Sequence, residues 1–199
     1  MKLILIMLFF TATPLIFAQK YPAIRAELLQ MEKVDQDARI KCTQAGSTEN
    51  QTKCLAEIST TIDEPNSKRL EAIFDQIGFP DTKKVGKDGL QAYMILLQHD
   101  PTDDLRVKSL KPINAAFKNK ELSPMDYANF VDRLRLHQKK KQLYGSGFEF
   151  KDGKMVLSPT EDMKNLEKRR AKIGLPPLAE YIRVMKETYH LDVEIPLNE

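Results

Sequence analysis

Apolar residues recur at three- and four-residue intervals over most of this chain, the period of helices with one inward face. Ile24, Leu28, Met31, Ala38 and Cys42 form one such stripe and predict a helix over 22–42, with Pro22 tolerated in its first turn. A second helix is expected from Pro65 to Ile77, opened by Asp63 or Glu64 and stopped by Gly78. Residues 87–99 contain Ala92-Tyr93-Met94-Ile95-Leu96-Leu97, apolar on every side, which predicts the buried central helix.

Three later helix starts share one device, a capping side chain followed by proline: Asp100-Pro101, Ser123-Pro124 and Ser158-Pro159. The first helix should be kinked or divided at Pro112, and the second should run to about Lys140. The third opens with a capping box, Ser158 to Glu161, and ends near Ile173-Gly174; Pro176-Pro177 then introduces a last helix through about Tyr189. Between Leu143 and Leu157 the period changes to that of a β-hairpin, turning at Asp152-Gly153. The expected architecture is mainly α, one helical domain over 19–199 of about six or seven helices, with a small β-hairpin near residues 143–157.

Residues 1–18 read differently. Lys2 precedes an unbroken apolar run from Leu3 to Phe10, Pro14 breaks the segment, and Ile16-Phe17-Ala18 ends it on a small residue. This is the pattern of a cleaved signal peptide, too short to span a bilayer, so the chain is expected to be exported, periplasmic or secreted. Charge supports no nucleic-acid partner: 31 basic residues, Lys2 among them, stand against 28 acidic ones. In an exported protein the two cysteines, Cys42 and Cys54, are expected to form a disulfide, closing a polar loop and stabilising the fold by about 3 kcal/mol.

The stripes carry polar interruptions, and these supply the candidate chemistry. Asp35 occupies an inward position of the first helix, and Arg39 follows one turn later. Arg170 fills a core position between Leu166 and Ile173, Asp132 lies on or beside the apolar face that carries Ala128, and His99 ends the buried helix. Buried charges must pair or face a wet cavity, so these residues form either a structural ion-pair network or a polar pocket. Gln142-Leu-Tyr144-Gly145-Ser-Gly is a second candidate, because its glycines permit close backbone approach to a ligand; a bulge at the start of the hairpin is the alternative.

Asp35-Gln36-x-x-Arg39, Gln98-His99-x-Asp, Asp132-Arg133, Gln142-x-Tyr144-Gly145 and Arg169-Arg170 followed by Gly174-Leu175 resemble an uncharacterised bacterial family of domains of unknown function. The resemblance runs from about Ile24 to Tyr181. The chain departs from the family pattern in having Asp100-Pro101 directly after His99 and Ser146 where threonine is usual. The resemblance implies one recurring polar set, including Gln36, Gln98 and Arg133, and no activity.

Three functions fit these residues. The first is a binding module for a small polar or anionic ligand, gripped by Arg39 and Arg170. The second is an acid–base hydrolase in which His99 transfers protons and Asp35 or Asp132 orients it. The third is association of the basic stretches 133–141 and 164–172 with an anionic surface. His99, His137 and His190 are far apart in sequence, which argues against a metal site; no metal and no cofactor is expected.

Overall fold

The computed structural model describes residues 19–151, 153–189 and 191–196. The expected signal segment, Asp152 of the hairpin turn and His190 lie outside the described residues. The chain folds as α1 Pro22–Thr43, α2 Thr48–Ile58, α3 Glu64–Ile77, α4 Thr82–Gln98, α5 Asp104–Lys118 and α6 Pro124–His137, then β1 Phe148–Lys151 and β2 Lys154–Leu157. After these come α7 Leu166–Lys172, α8 Leu178–Tyr189 and β3 Val193–Glu194. This is the mainly helical architecture expected.

α4 is the centre. Leu90, Ala92, Tyr93, Met94, Leu96 and Leu97 are all buried, and α1 lies along it. Leu28 from α1, Leu70 and Ile73 from α3, Leu105 and Ile113 from α5 and Phe130 from α6 complete one continuous core. The start of α4 is broken at Gly86 (φ +77°), a conformation that a side chain would strain, so the long helix begins effectively one residue later. A smaller core joins Leu157, Leu166 and Leu178 beneath the sheet.

Several boundaries differ from expectation. The segment 48–58 is helical rather than loop: Ser47 caps α2, and a five-residue π-helical turn, Ser59–Asp63, carries the chain directly into α3. The Cys42–Cys54 disulfide forms, with Cα atoms 5.5 Å apart, and ties the end of α1 to α2 rather than closing a floppy loop. Asp100 does not cap α5, which starts at Asp104; its Oδ1 accepts from Thr102 N and from Ser67 of α3. Pro112 sits inside α5 without dividing it. Ser123 caps α6 as expected, accepting from Asp126 N, but the helix stops at His137.

Ser158 is buried and caps nothing. Its carbonyl accepts from Gln142, and a parallel bridge between Gln142 and Thr160 holds this segment extended, so regular helix begins only at Leu166. The hairpin pairs Phe148 with Leu157 and Lys151 with Lys154 around Gly153. β3 adds in parallel to β2, a strand the period-two pattern gave no sign of. Among the described residues no helix is long and apolar enough to cross a membrane.

Candidate functional site

The inward acid of α1 meets the end of α4. Asp35 has a fully buried carboxylate, and His99 Nδ1 stands 3.0 Å from its Oδ2. Arg39, one turn along α1, donates from Nε to Asp35 Oδ1 at 3.1 Å and from a terminal nitrogen to Asp63 of the π turn. Gln36 completes the ring by donating to Asp35 Oδ2 at 2.7 Å. Burial alone pushes the Asp35 carboxyl up, but the hydrogen bonds and charges of His99 and Arg39 outweigh it and hold the group at about 2. Asp35 is therefore an anion at neutral pH, and an anion requires a proton on Nδ1 of His99. The neutral imidazole then carries its free lone pair on Nε2. The His99 side chain keeps 21% of its surface exposed, so this dyad is not sealed.

Asp63 is the member that the stripe analysis missed. It was read as a helix cap, yet 63, 67, 70, 73 and 77 continue one inward stripe of α3, and Ser67, Leu70 and Ile73 are all buried. The extra residue of the π turn falls where Asp63 swings toward Arg39. Burial raises the Asp63 carboxyl above its ordinary range, against the pull of Arg39 and His99. Asp35, Asp63 and His99 each present a ligand-type atom within 4.8 Å of one another, a grouping that the sequence separation of the histidines hid. Arg39 donates to both acids, so its guanidinium supplies the positive charge this cluster needs.

Asp132 and Arg170 do not join this group. The Asp132 carboxylate is surrounded by the backbone of the loop before β1: Oδ1 accepts from Leu143 N and Tyr144 N, and Oδ2 from Ser146 N and Ser146 Oγ. Arg170 donates to the carbonyls of Tyr144 and Pro176 and lies over the Tyr181 ring. The clamp of Arg39 with Arg170 expected for an anion is therefore not formed, and the inward charged residues divide into two groups. Gln142 also serves the loop, giving its amide to Gly147 O and Ser158 O and accepting from Gly147 N. Tyr144 packs its ring near Tyr127, and Gly145 turns the chain at φ +67°. These residues brace the loop that leads into β1.

What they support is one wall of a groove of about 740 Å³. Ser146, Gly147 and Phe148 form that wall, and Asn129, Arg133 and His137 of α6 form the other. Gln98, the chain neighbour of His99, also lines it, whereas His99 and Asp35 do not. Lys139, Lys140 and Lys141 edge it. Arg133 is exposed by accessible area, yet packing around its stem and the charges of Arg106 and Arg39 lower its pKa.

Behind that wall sits a second residue the stripe analysis missed, Arg106, 1% exposed. It occupies 106, 109, 113, 116, an inward stripe of α5. Its guanidinium gathers the carbonyls of Leu97, Gln98, Thr102 and Asp100, and so fixes the α4–α5 turn that holds His99. It also donates to His137 Nδ1 at 3.2 Å; burial and that neighbouring charge lower the His137 pKa.

Residues 22–194 match the model of a family described only as a family of unknown function (DUF6624). No curated protein and no solved structure matches the chain. Because the match covers nearly all of the described residues, the chain belongs to that family of unknown function, DUF6624.

Proposed function

We propose that this protein is an acid–base enzyme of hydrolytic type, in which His99 transfers protons, Asp35 fixes its tautomer, and the adjoining groove holds a small polar substrate. One observation carries the reading: a fully buried carboxylate lies 3.0 Å from Nδ1 of a partly exposed imidazole. That geometry orients a general base and stabilises the imidazolium it becomes. Arg39 and Asp63 hold Asp35 in place, and Arg106 holds the turn beneath His99. The signal-like N-terminus and the Cys42–Cys54 disulfide support an exported setting.

The test has two arms. Nitrogen NMR of His99 should show the neutral ring protonated on Nδ1, whatever the substrate; an Nε2-protonated ring refutes the dyad. A panel of chromogenic esters, amides and phosphoesters should then reveal turnover that His99→Gln reduces by about 10²–10⁴-fold while melting like the wild type. Turnover unaffected by that substitution, or none across the panel, refutes the catalytic reading.

A further inference from the structure

Arginines in this fold are almost all committed. Arg25, Arg69, Arg135 and Arg183 pair with carboxylates, Arg39 with two of them. Arg106, Arg169 and Arg170 are spent largely on backbone carbonyls. Arg133 is the exception: among the described residues no hydrogen bond or ion pair engages its guanidinium. It lines the groove, exposed to solvent, and the other charges near it, Arg106 and Arg39, are also cations. A guanidinium in a concave groove with no protein counter-charge leaves its paired N–H donors open to an oxyanion from solution.

Its surroundings repeat the sign. Lys139, Lys140 and Lys141 line the same groove against one acid, Glu149. Lys139 takes a left-handed backbone (φ +57°) at the end of α6, a position that glycine fills at lower cost, and the turn it makes carries the lysine run to the groove edge. Phe148, Met155 and Met185 add apolar surface to a lining that also carries polar side chains. The volume, about 740 Å³, suits one small molecule.

We infer that the groove binds a small soluble oxyanion, a phosphate or carboxylate ester or acid, with its charge on Arg133 and an apolar portion against Phe148 and Met155. This deepens the proposed acid–base reading by naming its substrate class, and it rests on that reading for the chemistry that would follow binding. The guanidinium presents two parallel N–H groups to the oxyanion, which a lysine could not do. Gln98 and Asn129 lie on the same walls with neutral amides suited to the ligand's remaining polar atoms.

Calorimetry on the mature chain, with phenyl phosphate as probe and inorganic phosphate beside it, tests the inference. Phenyl phosphate should bind more tightly than phosphate, and Arg133→Gln should weaken it by about tenfold or more while leaving the melting temperature unchanged. No binding of phenyl phosphate at millimolar concentration, or equal binding by Arg133→Gln, overturns the inference. Sedimentation with phosphatidylglycerol vesicles separates the other source of phosphate: vesicle binding without phenyl phosphate binding also overturns it. The His99 tautomer is measured without any ligand, so failure of the groove and failure of the dyad are told apart.

Discussion

Asp132→Asn isolates what that carboxylate does for the groove wall. The substitution keeps the shape and removes one acceptor atom. Its cheapest orientation turns the new amide nitrogen toward Ser146, because the Ser146 hydroxyl can rotate from donor to acceptor, whereas the opposite face offers only the N–H groups of Leu143 and Tyr144. Ser146 N–H, 3.0 Å from Oδ2, then faces another donor and loses its partner. One buried N–H left unpaired costs about 1–3 kcal/mol. The surviving bonds to Leu143 and Tyr144 lose the charge that roughly doubled their strength. Together these changes amount to about 3 kcal/mol, which lowers the melting temperature of a domain of this size by about 6–12 °C. Thermal denaturation followed by circular dichroism measures the shift, and amide exchange should show lost protection at residues 143–147. A melting temperature within about 2 °C of wild type, with that protection intact, would refute the assignment of Asp132 to loop support.

Arg106→Lys should cost about 3–5 kcal/mol in urea denaturation, since an ammonium cannot reach the four carbonyls that the guanidinium gathers; a midpoint like that of wild type would contradict this. Cys42→Ser with Cys54→Ser should lose up to about 3 kcal/mol, and identical unfolding of oxidised and reduced protein would show that the link between α1 and α2 adds nothing. The pH dependence has a definite sign. Asp35 titrates at about 2 in the fold, below the ordinary carboxylate value, so its contribution of about 2 kcal/mol is present above pH 4 and is lost as pH falls from 4 through 2. Asp63 is shifted the other way, so its term favours the fold at low pH and fades as pH rises through its raised value. Wild type should therefore lose more stability between pH 4.5 and 2.5 than Asp35→Asn does; equal losses in the two proteins would sink the assignment.

Much was legible in the sequence because it depends on local spacing alone. Helical period fixed the helical class and the central place of α4, and Ser123-Pro124 fixed the start of α6, since a cap bonds only to residues within one turn. Periodicity also singled out Asp35, Asp132 and Arg170 as inward, and all three are fully buried. It could not name their partners. Whether an inward carboxylate meets an imidazole, as Asp35 does, or three backbone amides, as Asp132 does, depends on which element packs opposite. That is a property of the tertiary arrangement.

Local signals failed where a longer-range bond competed with them. Ser158-Pro159 has the sequence of a helix start, but Gln142 and Gly147 take its backbone into an extended bridge. Asp100 likewise gives its carboxylate to α3 and to its own turn rather than to α5. Asp63 and Arg106 lie on readable stripes, yet an acid just before a helix has the local signature of a cap, and an arginine on a helix face has that of a solvated charge. The sequence alone determined which faces turn inward, because side-chain direction follows from backbone period. Only the tertiary structure decided which charges meet and left Arg133 over the groove without a partner among the described residues, because pairing across 60 or more residues, as between Asp35 and His99, is set by packing and carries no trace in spacing.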